Sequence, residues 1–140
     1  MTITEKEVNA LGGRGTYSKG IDVPFTFKCV GYIEGVKVLQ PINTKNRKLP
    51  GDSHSSESYI LLDRNGVFKQ MRIYNADLTW KKDIDFGGEH DLTDHYQKVL
   101  HIHEFDENGK RTDARYPTTE ERKKYDKYFV GLGKADRTRI

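Results

Sequence analysis

Apolar and polar positions alternate with a two-residue period over much of residues 23–105, and a helical spacing takes over only near the end of the chain. Phe25, Phe27 and Cys29 fall on one face of a first strand. Gly31-Tyr32-Ile33-Glu34-Gly35 supplies turn chemistry, and Val36-Lys37-Val38-Leu39 runs on to Pro41, which cannot donate to a ladder and ends the strand. The polar stretch 42–57 reads as a loop. Ser58–Leu62 is a strand, Asp63-Arg64-Asn65-Gly66 a hairpin turn, and Val67–Tyr74 a returning strand. Asn75–Leu78 turns again into Thr79–Phe86, where Trp80, Lys82, Ile84 and Phe86 share a face. The pattern predicts an antiparallel meander at 58–86 with Ile60, Leu62, Met71, Ile73, Trp80 and Ile84 mainly buried. Gly87-Gly88 opens a loop, a fourth strand lies near 99–105, and Asp106-Glu107-Asn108-Gly109 closes it with a turn.

The helical spacing belongs to residues 118–129. Thr118 with Glu121 three residues on is a capping box, Pro117 precedes it, and Gly131 is a natural stop. Tyr125 and Phe129 are expected inward, and Lys123, Lys124 and Lys127 in solvent. The fold class is therefore α+β: an antiparallel sheet with an N-terminal hairpin, and one C-terminal helix. Residues 1–20, with Gly12, Gly13 and Gly15, read as a flexible arm. Residues 21–130 read as a single domain and 131–140 as a basic tail.

A length of 140 residues with 34% hydrophobic and 32% charged positions supports one modest core under a heavily charged surface. No apolar run reaches the length of a membrane span, and the N-terminus has no apolar leader, so the expectation is a small gene product complete from Met1 with no membrane partner. The single cysteine, Cys29, cannot form an intrachain disulfide and reads as a buried small hydrophobe, in keeping with a cytoplasmic setting. Charge is divided. Residues 81–109 hold three Lys/Arg against eight Asp/Glu, a net of −5, while 110–140 hold ten against five, a net of +5. Such a split fits either a polyanionic or protein partner or a solvated helix face.

Four of the five histidines lie in the acidic stretch, as His90-Asp91, Asp94-His95 and His101-Ile102-His103-Glu104. Strand residues two apart share a face, so His101 and His103 point one way and Leu100 and Ile102 the other. Paired imidazoles can share a metal ion or act as acid and base. His90 and His95 can fold back from the adjoining loop, and Asp83 and Asp85 on the neighbouring strand can orient a ring through its second nitrogen. The candidate catalytic residues are His101, His103, His90, Asp85 and Asp83. A divalent metal, if one is used, falls to His101, His103, His90 and His95, although the spacing matches no standard zinc pattern. A polar strand edge with incidental histidines is the bland alternative. His54 reads as an exposed loop residue. Arg64, Lys69 and Arg72 on the sheet, and Arg122, Lys123, Lys124 and Lys127 on the helix, interleave with aromatics as in surfaces that track a phosphate backbone; Arg72 and the four helix residues are the candidate nucleic-acid or partner contacts.

The segment Tyr59–Phe105 resembles a small domain found in phage head-morphogenesis-associated proteins and bacterial polymorphic toxins. The resemblance rests on Tyr59, Asp63-Arg64-Asn65-Gly66, Arg72-Ile73-Tyr74, Asp83-Ile84-Asp85, His90 and His101-Ile102-His103-Glu104-Phe105. It departs at Leu100, where the family often has Pro, and at Ala76-Asp77-Leu78, where it often has Gly. The resemblance implies a phage or mobile-element context and carries over only His90, His101, His103, Asp83 and Asp85.

Three functions are therefore expected in turn. The first is a toxin-like effector in the host bacterial cytoplasm that cleaves phosphodiesters of nucleic acid by histidine acid–base chemistry, with the basic helix holding phosphates. The second is a non-catalytic phage protein that binds and inhibits a host defence complex of protein and nucleic acid, in the manner of an anti-CRISPR protein. The third is a virion assembly accessory protein.

Overall fold

The computed structural model describes residues 27–41, 49–50, 53, 56–89, 91–93 and 97–138. The expected arm at 1–20, His54, His90 and His95 lie outside them. Six strands form one sheet in sequential order: β1 Phe27–Ile33, β2 Val36–Pro41, β3 Ser58–Leu62, β4 Phe68–Tyr74, β5 Trp80–Gly88 and β6 Lys98–Glu104. Helix α1 spans Thr119–Tyr125, a 3₁₀ turn follows at Asp126–Tyr128, and a short α2 spans Lys134–Thr138. The class is α+β. The sheet is mixed, however, because β2 and β3 pair in parallel while every other neighbouring pair is antiparallel. A parallel pair needs a long crossover, and residues 42–57 supply the length.

Turn chemistry explains the hairpins. Asp63 accepts hydrogen bonds from the Asn65 and Val67 amides, and Asp106 accepts them from Asn108 and Lys110. Gly66 and Gly109 follow at φ +79° and +77°, a region that costs a side-chain-bearing residue energy. Gly87 and Gly88 do not open a loop as expected: they extend β5 and pair with Val99 and Lys98.

Each sheet face has its own core. On one, Val38, Ile60, Met71, Ile84, Leu100 and Ile102 pack with Phe68 against Tyr125, Phe129 and Leu132 from the C-terminal helical segment. Of the six residues expected inside, Ile60, Met71 and Ile84 are buried, whereas Leu62, Ile73 and Trp80 are only partly covered. Burying an aliphatic or aromatic side chain stabilises by about 1.5–3 kcal/mol, so this layer fixes α1 to the sheet. The capping box forms, with Thr118 accepting from the Glu121 amide and Glu121 from the Thr118 amide. Lys123, Lys124 and Lys127 are exposed. Helix α1 stops at Tyr125, short of the expected 129. The segment 131–138 is also more than a tail, since Leu132 is buried and Arg137 binds the Leu132 carbonyl and Asp126.

On the other face Phe27, Cys29, Leu39, Tyr59, Leu61 and Tyr74 cluster with Leu49 from the crossover. Tyr74 donates its hydroxyl to the Pro50 carbonyl. This face continues across β4, β5 and β6 as polar residues. Among the described residues no helix is long and apolar enough to cross a membrane.

Candidate functional site

The β4–β5–β6 register aligns two polar rows across the sheet. One is Gln70, Asp85 and His101; the other is Arg72, Asp83 and His103. All six point away from α1, because Met71, Ile84, Leu100 and Ile102, the alternate positions, fill the helix-side core.

The second row is structural at its centre. Arg72 forms a two-pronged ion pair with Asp83, Nε to Oδ1 at 2.7 Å and Nη2 to Oδ2 at 3.0 Å, and both side chains are buried. Arg72 also donates to the Leu49 and Pro50 carbonyls. Trp80 lies over the guanidinium, 3.4 Å from its carbon, and donates its indole N–H to Asp83. Strict alternation would have put Trp80 on the helix face with Lys82 and Ile84. An extra residue, Lys81, interrupts the register between Ile73↔Lys82 and Tyr74↔Trp80, and this bulge turns the indole to the opposite face. Two expectations fail here. Arg72 lines the hollow over this face, but it is 2% exposed and its guanidinium is engaged by Asp83 and the Leu49 and Pro50 carbonyls rather than held out to a ligand. Asp83 is committed to Arg72 and Trp80, unlike the catalytic carboxylate expected there.

The first row is differently placed. Gln70 donates to Oδ1 of Asp85 at 2.7 Å, while Oδ2 lies 3.8 Å from Nε2 of His101. Burial, and next the charge of Asp83, push the Asp85 carboxyl above its usual range. His101 sets Nδ1 3.0 Å from the Val99 carbonyl, and His103 sets Nδ1 3.0 Å from the Thr112 carbonyl. A carbonyl only accepts, so both rings carry a proton on Nδ1. Both Nε2 atoms then face carboxylates: that of His103 is 3.5 Å from Oε2 of Glu89, which is itself buried. The two rings meet edge to face with centroids 5.3 Å apart. Asp85, His101 and His103 each offer one ligand atom, all within 4.8 Å of one another, and can hold a metal ion.

An open hollow of about 350 Å³ lies over this face, with His101, Asp85, Gln70, Trp80, Lys69 and Arg111 in its lining; His103 is not part of that lining. A second hollow of about 470 Å³ shares Leu61 and Lys69 with it and reaches Arg64 and Asn65 at the β3–β4 turn. Lys69 is available because a bulge opposite Leu61 and Leu62 leaves it unpaired in the register. Together the hollows form a groove lined by the cations Arg64, Lys69 and Arg111, besides the ion-paired Arg72.

The structure thus brings together His101, His103, Asp85 and Asp83. It sets the candidate basic residues of the helix apart, since α1 packs on the opposite face of the sheet. Lys123, Lys124 and Lys127 are exposed there, Arg122 donates to the Arg137 carbonyl, and none of the four lines the groove. Sequence reasoning missed Glu89, Gln70 and Arg111. Gln70 alone carried a signal, as the polar residue opposite Asp85 in the predicted strand pair. Searches against protein-family models, curated proteins and solved structures return no match for this chain.

Proposed function

We propose that the groove binds nucleic acid and that the Asp85–His101 pair hydrolyses its phosphodiester bonds. The observation that carries this reading is the fixed ring of His101: Nδ1–H is held by the Val99 carbonyl, and Nε2 faces the carboxylate of Asp85 at the base of an open hollow. A ring in that state exchanges a proton only at Nε2, and His101, though 5% exposed, lines the hollow that would receive a phosphodiester. Imidazole titrates near neutrality, so it can take a proton from an attacking hydroxyl or give one to a leaving oxygen. The Val99 carbonyl orients the ring, and Asp85, held by Gln70, stabilises the imidazolium that forms when Nε2 takes a proton. Arg64, Lys69 and Arg111 replace the helix lysines as the residues that hold phosphates. His101 and His103 are both buried, and His103, which is absent from the lining of the hollow, supports the pair. A phage or mobile-element origin and a toxin-like role in the bacterial cytoplasm rest on the resemblance of Tyr59–Phe105 alone.

A second reading is favoured by the separation of the helix from the groove. Lys123, Lys124 and Lys127 form an exposed basic strip with no part in the site, as suits a non-catalytic inhibitor that docks on a host protein–nucleic-acid complex. Incubating the pure chain with labelled RNA, single-stranded DNA and duplex DNA, with and without divalent ions, separates the two. Cleavage that is lost in His101→Gln supports hydrolysis. Intact substrates under every condition, with host-complex capture lost in a Lys123→Glu/Lys124→Glu variant, support the inhibitor.

A further inference from the structure

We propose that Asp85, His101 and His103 form a binding site for one divalent transition-metal ion of the zinc type, beside Glu89. The site takes the same Nε2 of His101 that the proposed proton transfer uses, so a bound ion excludes that ring from acid–base work, and the site stands whether or not nucleic acid is the substrate.

The topology supplies the ligands. His101 and His103 sit two apart on β6 and project from one face, and Asp85 is the register partner of His101 on β5. This triangle brings a ligand atom from each within 4.8 Å of the others. A third carboxylate on the same face, Asp83, is excluded by its pairing with Arg72 and Trp80. The donor set is therefore two imidazoles and one carboxylate, the composition of three-ligand zinc sites that keep a position for water.

The surroundings are those of a metal site as well. Metal-bound histidines donate their other N–H to a carbonyl or carboxylate, which fixes the ring and exposes one lone pair. Here Val99 and Thr112 accept from the two Nδ1 atoms. The remaining nitrogens face Asp85 at 3.8 Å and Glu89 at 3.5 Å. A nitrogen lone pair against a carboxylate is repulsive unless a positive charge lies between them. Either a proton on each Nε2 or one metal ion satisfies that requirement, and the ion satisfies both rings at once. Imidazole nitrogen selects against magnesium and calcium, which prefer all-oxygen shells.

The test is isothermal titration of the full-length, chelator-treated chain with zinc sulfate, and separately with magnesium chloride, alongside Asp85→Asn, His101→Gln and His103→Gln. The expected result is one zinc ion per chain, at least tenfold tighter than magnesium, and weakened about tenfold or more by each substitution. His54, His90 and His95 remain in all three variants, so zinc binding of unchanged strength in His101→Gln and His103→Gln would overturn the proposal. Nitrogen-15 spectra of the wild-type histidines supply a readout independent of variant folding. Zinc is expected to shift the Nε2 signals of His101 and His103 and leave their Nδ1–H protons in place; unmoved Nε2 signals at saturating zinc contradict it. A chain that binds zinc in this way and, when chelator-treated, cleaves no nucleic acid overturns the hydrolytic reading and leaves the metal site standing.

Discussion

Asp85 and His101 are register partners on β5 and β6, and the carboxylate oxygen that Gln70 does not hold, Oδ2, lies 3.8 Å from Nε2 of the ring. Folding partly buries this carboxylate beside Asp83, which costs the metal-free protein stability. Asp85→Asn keeps the shape and the acceptor for Gln70 while removing the charge. It should raise the stability of the chelator-treated chain by about 0.5–2 kcal/mol in urea unfolding, the usual sign of a site kept for function. A loss of more than about 1 kcal/mol would make Asp85 a structural residue.

The Arg72–Asp83 pair predicts the opposite. Removing one partner of a buried ion pair strands the other, so Arg72→Ala should cost about 3–5 kcal/mol. Replacing both, as Arg72→Met with Asp83→Leu, should cost much less than the two single changes together. A double variant as unstable as that sum would show that the pair acts through contacts other than its charge.

Much of this geometry was written in local patterns. The two-residue period of Lys98–Glu104 put His101 and His103 on one face and Leu100 and Ile102 on the other, and Thr118 with Glu121 marked the start of α1. What could not be read depended on the register between strands. The bulges at Lys69 and Lys81 each insert one residue and reverse the phase of what lies beyond, which moves Trp80 to the site and frees Lys69 for the groove. The fate of Asp83 was set by Arg72 on the neighbouring strand, while Asp85, equivalent in sequence, met only Gln70 there. The side of the sheet taken by α1 decided that its lysines lie far from the histidines, and no local signal states that. The parallel β2–β3 pair, reached through a polar crossover, has no sequence period of its own.

Glu121 predicts a pH dependence. Arg115 grips it with two nitrogens, at 2.7 and 2.9 Å, and Lys82 adds a third contact at 3.1 Å. The Arg115 hydrogen bonds above all hold its carboxyl far below the usual range. A depressed carboxyl stabilises the fold fully above its unfolded value of about 4.3 and loses that contribution as pH falls toward the folded value. Glu121→Gln should therefore be less stable than wild type at pH 7, and the gap should close as the pH drops below about 4. A gap constant from pH 7 to pH 3 would rule out ionisation as its cause.

Gly131 predicts a packing failure. Its φ is +81°, and a Cβ there would meet Val67 Cγ2 at 2.9 Å and Val67 Cα at 3.2 Å. Left-handed backbone alone costs a residue with Cβ about 1–2 kcal/mol. Gly131→Ala should lower stability by at least that much, since the rigid Val67 backbone must also shift. Thermal unfolding no different from wild type would show that this turn relaxes freely.

The central claim, that the histidine groove and not the helix is where this protein acts, is tested most directly by single-turnover cleavage of labelled single-stranded nucleic acid in two variants. His101→Gln should slow cleavage about 10²–10⁴-fold, the range for losing a general acid–base group. Lys123→Glu/Lys124→Glu, exposed on the other side of the sheet, should stay within about twofold of wild type. A His101→Gln protein as active as wild type, or activity lost with the helix lysines and kept without the imidazole, would contradict the account.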